Sequence, residues 1–297
     1  MITLKRSLAA LAVVTLTMAG PMFAACGDGE EEGPPPAESP EATAPAGETP
    51  SGGIDISGIP ELEDRTLDVG SDIAYAPIEF LEGDTPKGLD IDLATALAEA
   101  LGVEVEFHNT GFDAIIPSLQ GSRFDVIMSA MTVTDERKEQ IDFIEYANVG
   151  VGIVVAKGNP EGIERVDDLC GRTVAVQEGT IQVDILEAQD QACREAGQQG
   201  IDILRFGTDP EAVDQVKAGR AVAVLNDFPV AFVAAQENPD TLEVLDTQID
   251  PAPYGIGLRK DSAALKAALE EALDRIKADG TYQRIFEAWN MESAVLD

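Results

Sequence analysis

The chain has 297 residues, room for two ordinary domains, and 44% of them are hydrophobic, enough to bury a sizeable core. Its 55 acidic and 20 basic side chains leave a formal charge of −35. So acidic a chain repels nucleic acid and anionic lipid, which excludes both as direct partners.

The chain opens on a charged pair, Lys5 and Arg6, followed by an apolar run over residues 8–18 that is too short to span a bilayer comfortably. Small residues follow and end at Ala24-Ala25-Cys26, so residues 1–25 read as an export signal. That ending resembles the lipobox of bacterial lipoproteins, with Phe23 standing where an aliphatic residue is usual. The resemblance implies lipidation of Cys26 and a place on the outer face of the bacterial cell membrane, with the lipid as the only membrane attachment. Residues 26–60 are rich in Pro, Glu, Ser, Thr and Gly and carry almost no large apolar side chains. They cannot bury enough surface to fold and are expected to form a disordered acidic tether with a reach of roughly 30 Å.

Beyond the tether, strand-like and helix-like segments alternate. Residues 66–70 predict a strand, and 90–101 a helix through Ile91, Leu93, Leu97 and Leu101, ended by Gly102. Val103, Val105 and Phe107 alternate as a strand. Residues 112–120 predict a helix despite Pro117, and 125–129 a buried strand. This βα order argues for an α/β domain with a mostly parallel sheet. A second unit begins near Val154, with strands at 173–177, 201–205 and 221–225 and a helix at 210–218. A strand at 254–258 and two helices close the chain, one over 263–278 and one carrying Tyr282, Ile285, Phe286 and Trp289, whose stripes read as core.

Two places carry chemistry. In FDVIMSAMTVTDER, residues 124–137, Thr134 caps a helix whose positive end suits Asp135 and Glu136 but not Arg137. Such a local mismatch marks a functional site. The arginine fork beside free backbone N–H groups suits a carboxylate. Asp227, in LNDFPVA just past a strand, suits an ammonium, and the two together make a receptor for a free amino acid. With Cys26 assigned to lipid, Cys170 and Cys193 are an even pair in an exported chain and read as a disulfide, which contributes about 3 kcal/mol in the chain-entropy model. No cofactor or metal is expected. Neither cysteine has metal-ligand spacing, Asp90 and Asp92 do not continue into a calcium loop, and Gly255-Ile256-Gly257 lacks the rest of a dinucleotide pattern.

An ordered set of segments then resembles a known family. These are SDIAYAPIEF at 71–80, GLDIDLATALAEALG at 88–102, GFDAIIPSLQGSRFDVIMSAMTVTDER at 111–137, VAVQEGTIQ at 174–182, AGRAVAVLNDFPVA at 218–231 and ADGTYQRIFEAW at 278–289. The set covers nearly everything after the tether and resembles the extracellular solute-binding proteins of ABC transporters, polar amino-acid-binding family 3. The resemblance implies an α/β, two-lobe periplasmic-binding-protein-like fold of type II, with mixed, mostly parallel sheets and two crossover hinge strands near 151–157 and 249–255. Lobe 1 is then 61–152 plus 254–297, lobe 2 is 153–253, and the lobes close on the ligand.

By the same resemblance Arg137 clamps the ligand carboxylate with two parallel bonds that lysine cannot copy. Asp227 receives the ammonium. Ser129, Ala130 and Thr132 contribute loop groups, and Thr180, Ile181 and Gln182, after Gly179, begin a helix whose N–H groups complete the carboxylate site. Ile181 stands where threonine is frequent, so it acts through its backbone only. Tyr75 and Phe112 sandwich the ligand side chain, whose far end meets Asp72 and Gln177 or Glu178, only one of which points inward from a strand. Acid at that end favours a basic or amide side chain. The partners implied are the amino acid and ABC permease subunits, and the protein is expected to act as a monomer.

Two other classes stay open. An enzyme of the same fold, cyclohexadienyl or arogenate dehydratase-like, would use Glu178 or Asp72 as general acid. His108, the only histidine, follows a strand and is expected at the surface, so no Ser–His or Cys–His pair is available. A ligand-sensing component of a signalling system is the third reading, and the lack of a membrane span following Asp297 is expected to weigh against a fused receptor.

Overall fold

The computed structural model describes residues 53–296. The export signal, Cys26 and nearly all of the expected tether lie outside the described residues. The tether's expected end at Pro60 is too late. Ile54 and Ile59 are buried in a hydrophobic core with Leu62, so apolar side chains scattered among Gly, Ser and Asp were enough to fold back.

In chain order the elements are β1 (Thr66–Ser71), β2 (Phe80–Glu82), β3 (Thr85–Lys87), α1 (Leu89–Leu101), β4 (Glu104–Asn109), α2 (Phe112–Gln120), β5 (Val126–Ile127), α3 (Asp135–Gln140) and β6 (Asp142–Ala156). Then come β7 (Thr173–Gln177), α4 (Ile181–Glu195), β8 (Asp202–Phe206), α5 (Asp209–Lys217), β9 (Ala223–Asp227), α6 (Phe228–Glu237), β10 (Leu242–Val244), β11 (Ile249–Leu258), α7 (Ala263–Ala278) and α8 (Thr281–Ala288). Two helices, α2 and α7, fall on their expected bounds, and Gly102 ends α1 in the left-handed region at φ 71°. The strand expected over 125–129 is reduced to two residues, because the chain leaves the sheet at Met128 to build a loop. The β2–β3 hairpin and β10 were not anticipated. Each has only three residues, too short for a periodic signal.

Among the described residues nine strands form one sheet in the order β4-β1-β5-β11-β6-β9-β7-β8, with β10 also on β6. The pairings within each half, β1 with β4 and β5, β7 with β8 and β9, are parallel. The joins through β6 and β11 are antiparallel. β6 is the element that unites the halves. Its start pairs with β11, Asp142 opposite Leu258, and its end pairs with β9, Val155 opposite Ala223. The two crossovers expected near 151–157 and 249–255 are thus the far ends of two longer strands.

Each half has its own core. Lobe 1 packs α1, α7 and α8 over β1 and β11 through Leu89, Leu93, Leu97, Leu269, Tyr282 and Phe286. A smaller cluster under α2 joins Ile115, Leu119, Phe124 and Ile127. Lobe 2 buries Val174, Val176, Leu186 and Leu225 on one side of its sheet and Ala175, Val213, Val216 and Val224 on the other, as period-2 strands require. The disulfide joins Cys170 to Cys193 of α4, with Cα atoms 5.6 Å apart. His108 is not a bare surface residue. It is half-buried, with Nε2 2.9 Å from Asp68 Oδ1.

Candidate functional site: a cleft between the lobes

The lobe 1 wall is built where β1 and β5 end. Thr134 caps α3 by accepting from the Arg137 N–H at 3.1 Å. With six residues, the first and last turns of α3 overlap, so the expected conflict between Arg137 and the helix dipole is weak. Burial marks this arginine instead, at 9% exposure. Its Nη1 donates to the Thr132 carbonyl at 2.6 Å, its Nη2 to the Gly179 carbonyl at 3.1 Å, and its guanidinium lies 5.4 Å from the centre of the Phe112 ring. That uses two of five N–H donors. Burial pulls the guanidinium below its ordinary pKa, against Asp184, Asp227 and Glu136, which favour the charged form.

The loop from Ser129 to Thr132 is held from below by two carboxyl groups. Ser129 Oγ donates to Glu79 Oε1 and accepts from the Asp72 N–H, both at 2.9 Å. The Ala130 N–H donates to Asp90 Oδ2 at 2.9 Å, and Tyr146 donates to the same carboxylate at 2.7 Å. Ala130 sits at φ 46°, a left-handed conformation costly for a residue with a Cβ and tolerated where the surroundings fix it. Thr132 bridges to Tyr254 of β11, which ties the loop to a hinge strand.

The lobe 2 wall consists of strand and helix ends. Gln177, at the end of β7, points into the cleft and donates to Asp72 Oδ2 at 2.6 Å. Glu178 points away, its carboxylate 3.5 Å from Arg205 Nη1, as strand alternation demands. Thr180 Oγ1 donates to the Gln177 carbonyl at 2.8 Å and does not cap α4, so the N-terminus of that helix meets the cleft without a side-chain acceptor. Gly179 lies against lobe 1. A Cβ there would stand 3.0 Å from the Asp113 Cα, and its φ of 80° suits glycine alone.

Asp227 ends β9 and holds the N-cap position of α6, yet its side chain caps nothing. It accepts instead from Tyr254 Oη at 2.6 Å and Gln182 Nε2 at 2.8 Å, while its own N–H donates to Tyr75 Oη at 2.8 Å. Burial raises its pKa to about 6, against those bonds and Arg137. Behind it Asp209, bonded to Asn226 at 3.1 Å, is raised to about 7, again by burial. Asp72 is also raised by burial, and Gln177 opposes the shift.

These walls leave a cavity of about 20 Å³, lined by Asp72, Tyr75, Phe112, Ser129, Ala130, Thr132, Arg137, Gln177, Thr180, Ile181, Gln182 and Asp227. Twelve positions singled out from the sequence therefore border one narrow cavity, and Glu178, the alternative to Gln177, does not. Sequence reasoning missed one more lining residue, Glu79. Its signal was faint: a lone acid inside the apolar segment AYAPIEF.

The family model for bacterial extracellular solute-binding proteins, family 3, matches residues 67–292. The chain is 34% identical over 230 residues to the L-cystine-binding protein TcyJ of Escherichia coli (strain K12), covering 76% of this chain and 83% of TcyJ. It is 32% identical to the arginine-binding protein ArgT of Corynebacterium glutamicum, covering 78% of this chain and 76% of ArgT. An ancestral arginine-binding protein solved bound to glutamine is 38% identical with a TM-score of 0.70, covering 77% of this chain and 99% of that one.

Proposed function

Because the chain belongs to the bacterial extracellular solute-binding proteins of family 3, we propose that it binds one polar amino acid between its lobes and delivers it to an ABC importer. Like TcyJ and ArgT it is a binding protein and not an enzyme. Of the two acids that general-acid chemistry would call on, Glu178 is turned away from the cavity toward Arg205, and Asp72, which borders the cavity, is bonded to Gln177.

The observation that carries this reading is the pairing of opposite buried charges across one small cavity: Arg137 from lobe 1 and Asp227 from lobe 2. The ligand carboxylate takes the remaining Arg137 donors and the N–H groups that open α4 at Ile181 and Gln182. The ammonium takes Asp227, whose carboxylate has lone pairs beyond the two used by Tyr254 and Gln182. Ser129, Ala130 and Thr132 hold the ligand's backbone end. Tyr75 and Phe112 flank its side chain, with Phe112 also backing Arg137. Asp72 and Gln177, already bonded to each other across the cleft, close the far end. A ligand that bridges the walls favours the closed arrangement by its differential contacts alone.

Lipid on Cys26 would tether the body to the outer face of the cell membrane, and permease subunits would receive the closed form. Among the described residues no helix is long and apolar enough to cross a membrane. The test is a thermal scan of the purified protein against the common amino acids. A ligand at a hundredfold excess over its Kd adds about 2.7 kcal/mol of stability. A shift confined to one chemical group of amino acids supports the reading, and no shift with any of them removes it.

A further inference from the structure

Among the described residues six other than glycine have positive φ, and only Ala130, at 46°, is buried. Alanine in the left-handed region bears the steric cost of its Cβ, so something else must hold it there. The chain on either side is held by strands. The Met128 N–H donates to the Gly70 carbonyl at 3.1 Å, and the Met131 carbonyl accepts from the Gly255 N–H at 2.9 Å. Between them the Ala130 N–H donates to Asp90 Oδ2 at 2.9 Å, and Asp90 is itself fully buried.

We infer that Asp90 is a positioning residue for ligand binding: by accepting from the Ala130 N–H it fixes the left-handed turn that aims the peptide groups of residues 129–132 into the cavity. The inference rests on the amino-acid reading above and deepens it, because those groups are the ones assigned to the ligand's backbone end. Ser129, Ala130 and Thr132 all border the cavity. Return of Ala130 to the right-handed region would rotate the peptide planes beside it and turn their polar groups from the positions they hold.

Asp90 is suited to this. It stands in the first turn of α1, whose positive end favours a carboxylate. Tyr146 of β6 donates to its two oxygens, each at 2.7 Å, which restricts the carboxylate to one orientation. Burial raises its pKa to about 7, against the bonds from Ala130 and Tyr146, which favour the charged form and are strengthened by it. The other acid beneath the loop, Glu79, holds the side chain of Ser129 and not the turn itself.

Calorimetric titration with L-arginine and L-glutamine, which share the backbone end and differ in side-chain charge, tests this. An amino acid that shifts the thermal scan replaces a probe that does not bind. Asp90→Ala should weaken both probes by the same factor, roughly five- to thirtyfold, the equilibrium cost of returning one alanine to the left-handed region. Ala130→Gly added to Asp90→Ala should recover most of that loss, because glycine adopts the region freely. A variant damaged merely in packing gains nothing from a second deletion. Asp90→Asn, which keeps an acceptor for the Ala130 N–H, should retain more affinity than Asp90→Ala. Should Asp90→Ala fail to fold, Tyr146→Phe carries the same test more gently: it frees Asp90 to swing and should weaken both probes, again with recovery by Ala130→Gly. No loss of affinity, a loss confined to one probe, or a loss that Ala130→Gly leaves untouched would overturn the role of Asp90 and leave an amino-acid binder standing. If no amino acid bound the unsubstituted chain at all, the reading beneath would fall and this inference with it.

Discussion

Lobe 1 and lobe 2 build their sides of the cleft by different means. Lobe 1 offers a loop braced by buried side chains: Ser129 Oγ on Glu79, the Ala130 N–H on Asp90, and Asp90 on Tyr146. Its main core carries Tyr146, Tyr254, Tyr282 and Phe286, which lock that network from behind. Lobe 2 offers ends of elements, the tip of β7, the first turn of α4 and the end of β9, over two cores made mostly of Val, Ala, Leu and Ile. It is also the lobe with a covalent staple. The contrast suggests a division of labour: lobe 1 holds a preset charge pattern, and lobe 2 brings backbone donors and one aspartate to it on closure.

The sharpest way to break that division is Arg137→Ala. Removing one member of a buried, bonded charge set costs about 3–5 kcal/mol, so amino-acid binding should drop by a hundredfold or more in calorimetry while the circular dichroism spectrum stays native. Retained affinity would place the carboxylate elsewhere. Next in size is Cys170→Ser combined with Cys193→Ser, which should lower the unfolding free energy by about 3 kcal/mol. Neither cysteine borders the cavity, so affinity well below the melting transition should persist. Lost affinity with retained folding would mean that lobe 2 geometry depends on the staple. Asp227→Asn then separates the two ligand ends. It should weaken amino acids by roughly 1.5–3 kcal/mol and leave their deaminated analogues nearly unchanged. Equal losses would deny Asp227 its ammonium.

Much of this was legible in the sequence because the helices are long and amphipathic and because the residues of the cleft stand at ends of elements that pattern alone can find. Arg137 was found for a partly mistaken reason. Its clash with a helix dipole fades in a six-residue helix, and what sets it apart is burial, which depends on lobe 2 arriving at Gly179. Glu79 was missed because its significance is three-dimensional: it lies under a loop fifty residues downstream. The length of β6 was also hidden, since a strand buried along most of its run shows no alternation to mark its start.

The buried acids give a further prediction of smaller scale. Asp209 and Asp227 have folded-state values of about 7 and about 6, above an unfolded value near 3.9. Between the unfolded and folded values the native chain binds more protons, so unfolding free energy falls as pH rises through that window and is highest below it. The slope is about 1.4 kcal/mol per pH unit for each extra proton held. Urea unfolding of the ligand-free protein should therefore show greater stability at pH 5 than at pH 8. The opposite order would mean that these carboxyl groups are better solvated than their burial suggests.

The smallest expected effect tests what positions the arginine. Thr134→Ala removes the acceptor for the Arg137 N–H and should cost about 1 kcal/mol of stability, the usual loss for a helix cap. The guanidinium, however, is held by the carbonyls of Thr132 and Gly179, and the strand of chain before it is tied by the Val133 N–H to the Pro253 carbonyl at 2.8 Å. Those restraints do not involve the cap. Affinity should then fall only about two- to threefold, equivalent to a few tenths of a kcal/mol, and Thr134→Ser should restore both quantities. A loss of affinity as large as that of Arg137→Ala would show that α3, and not the loop carbonyls, aims the fork.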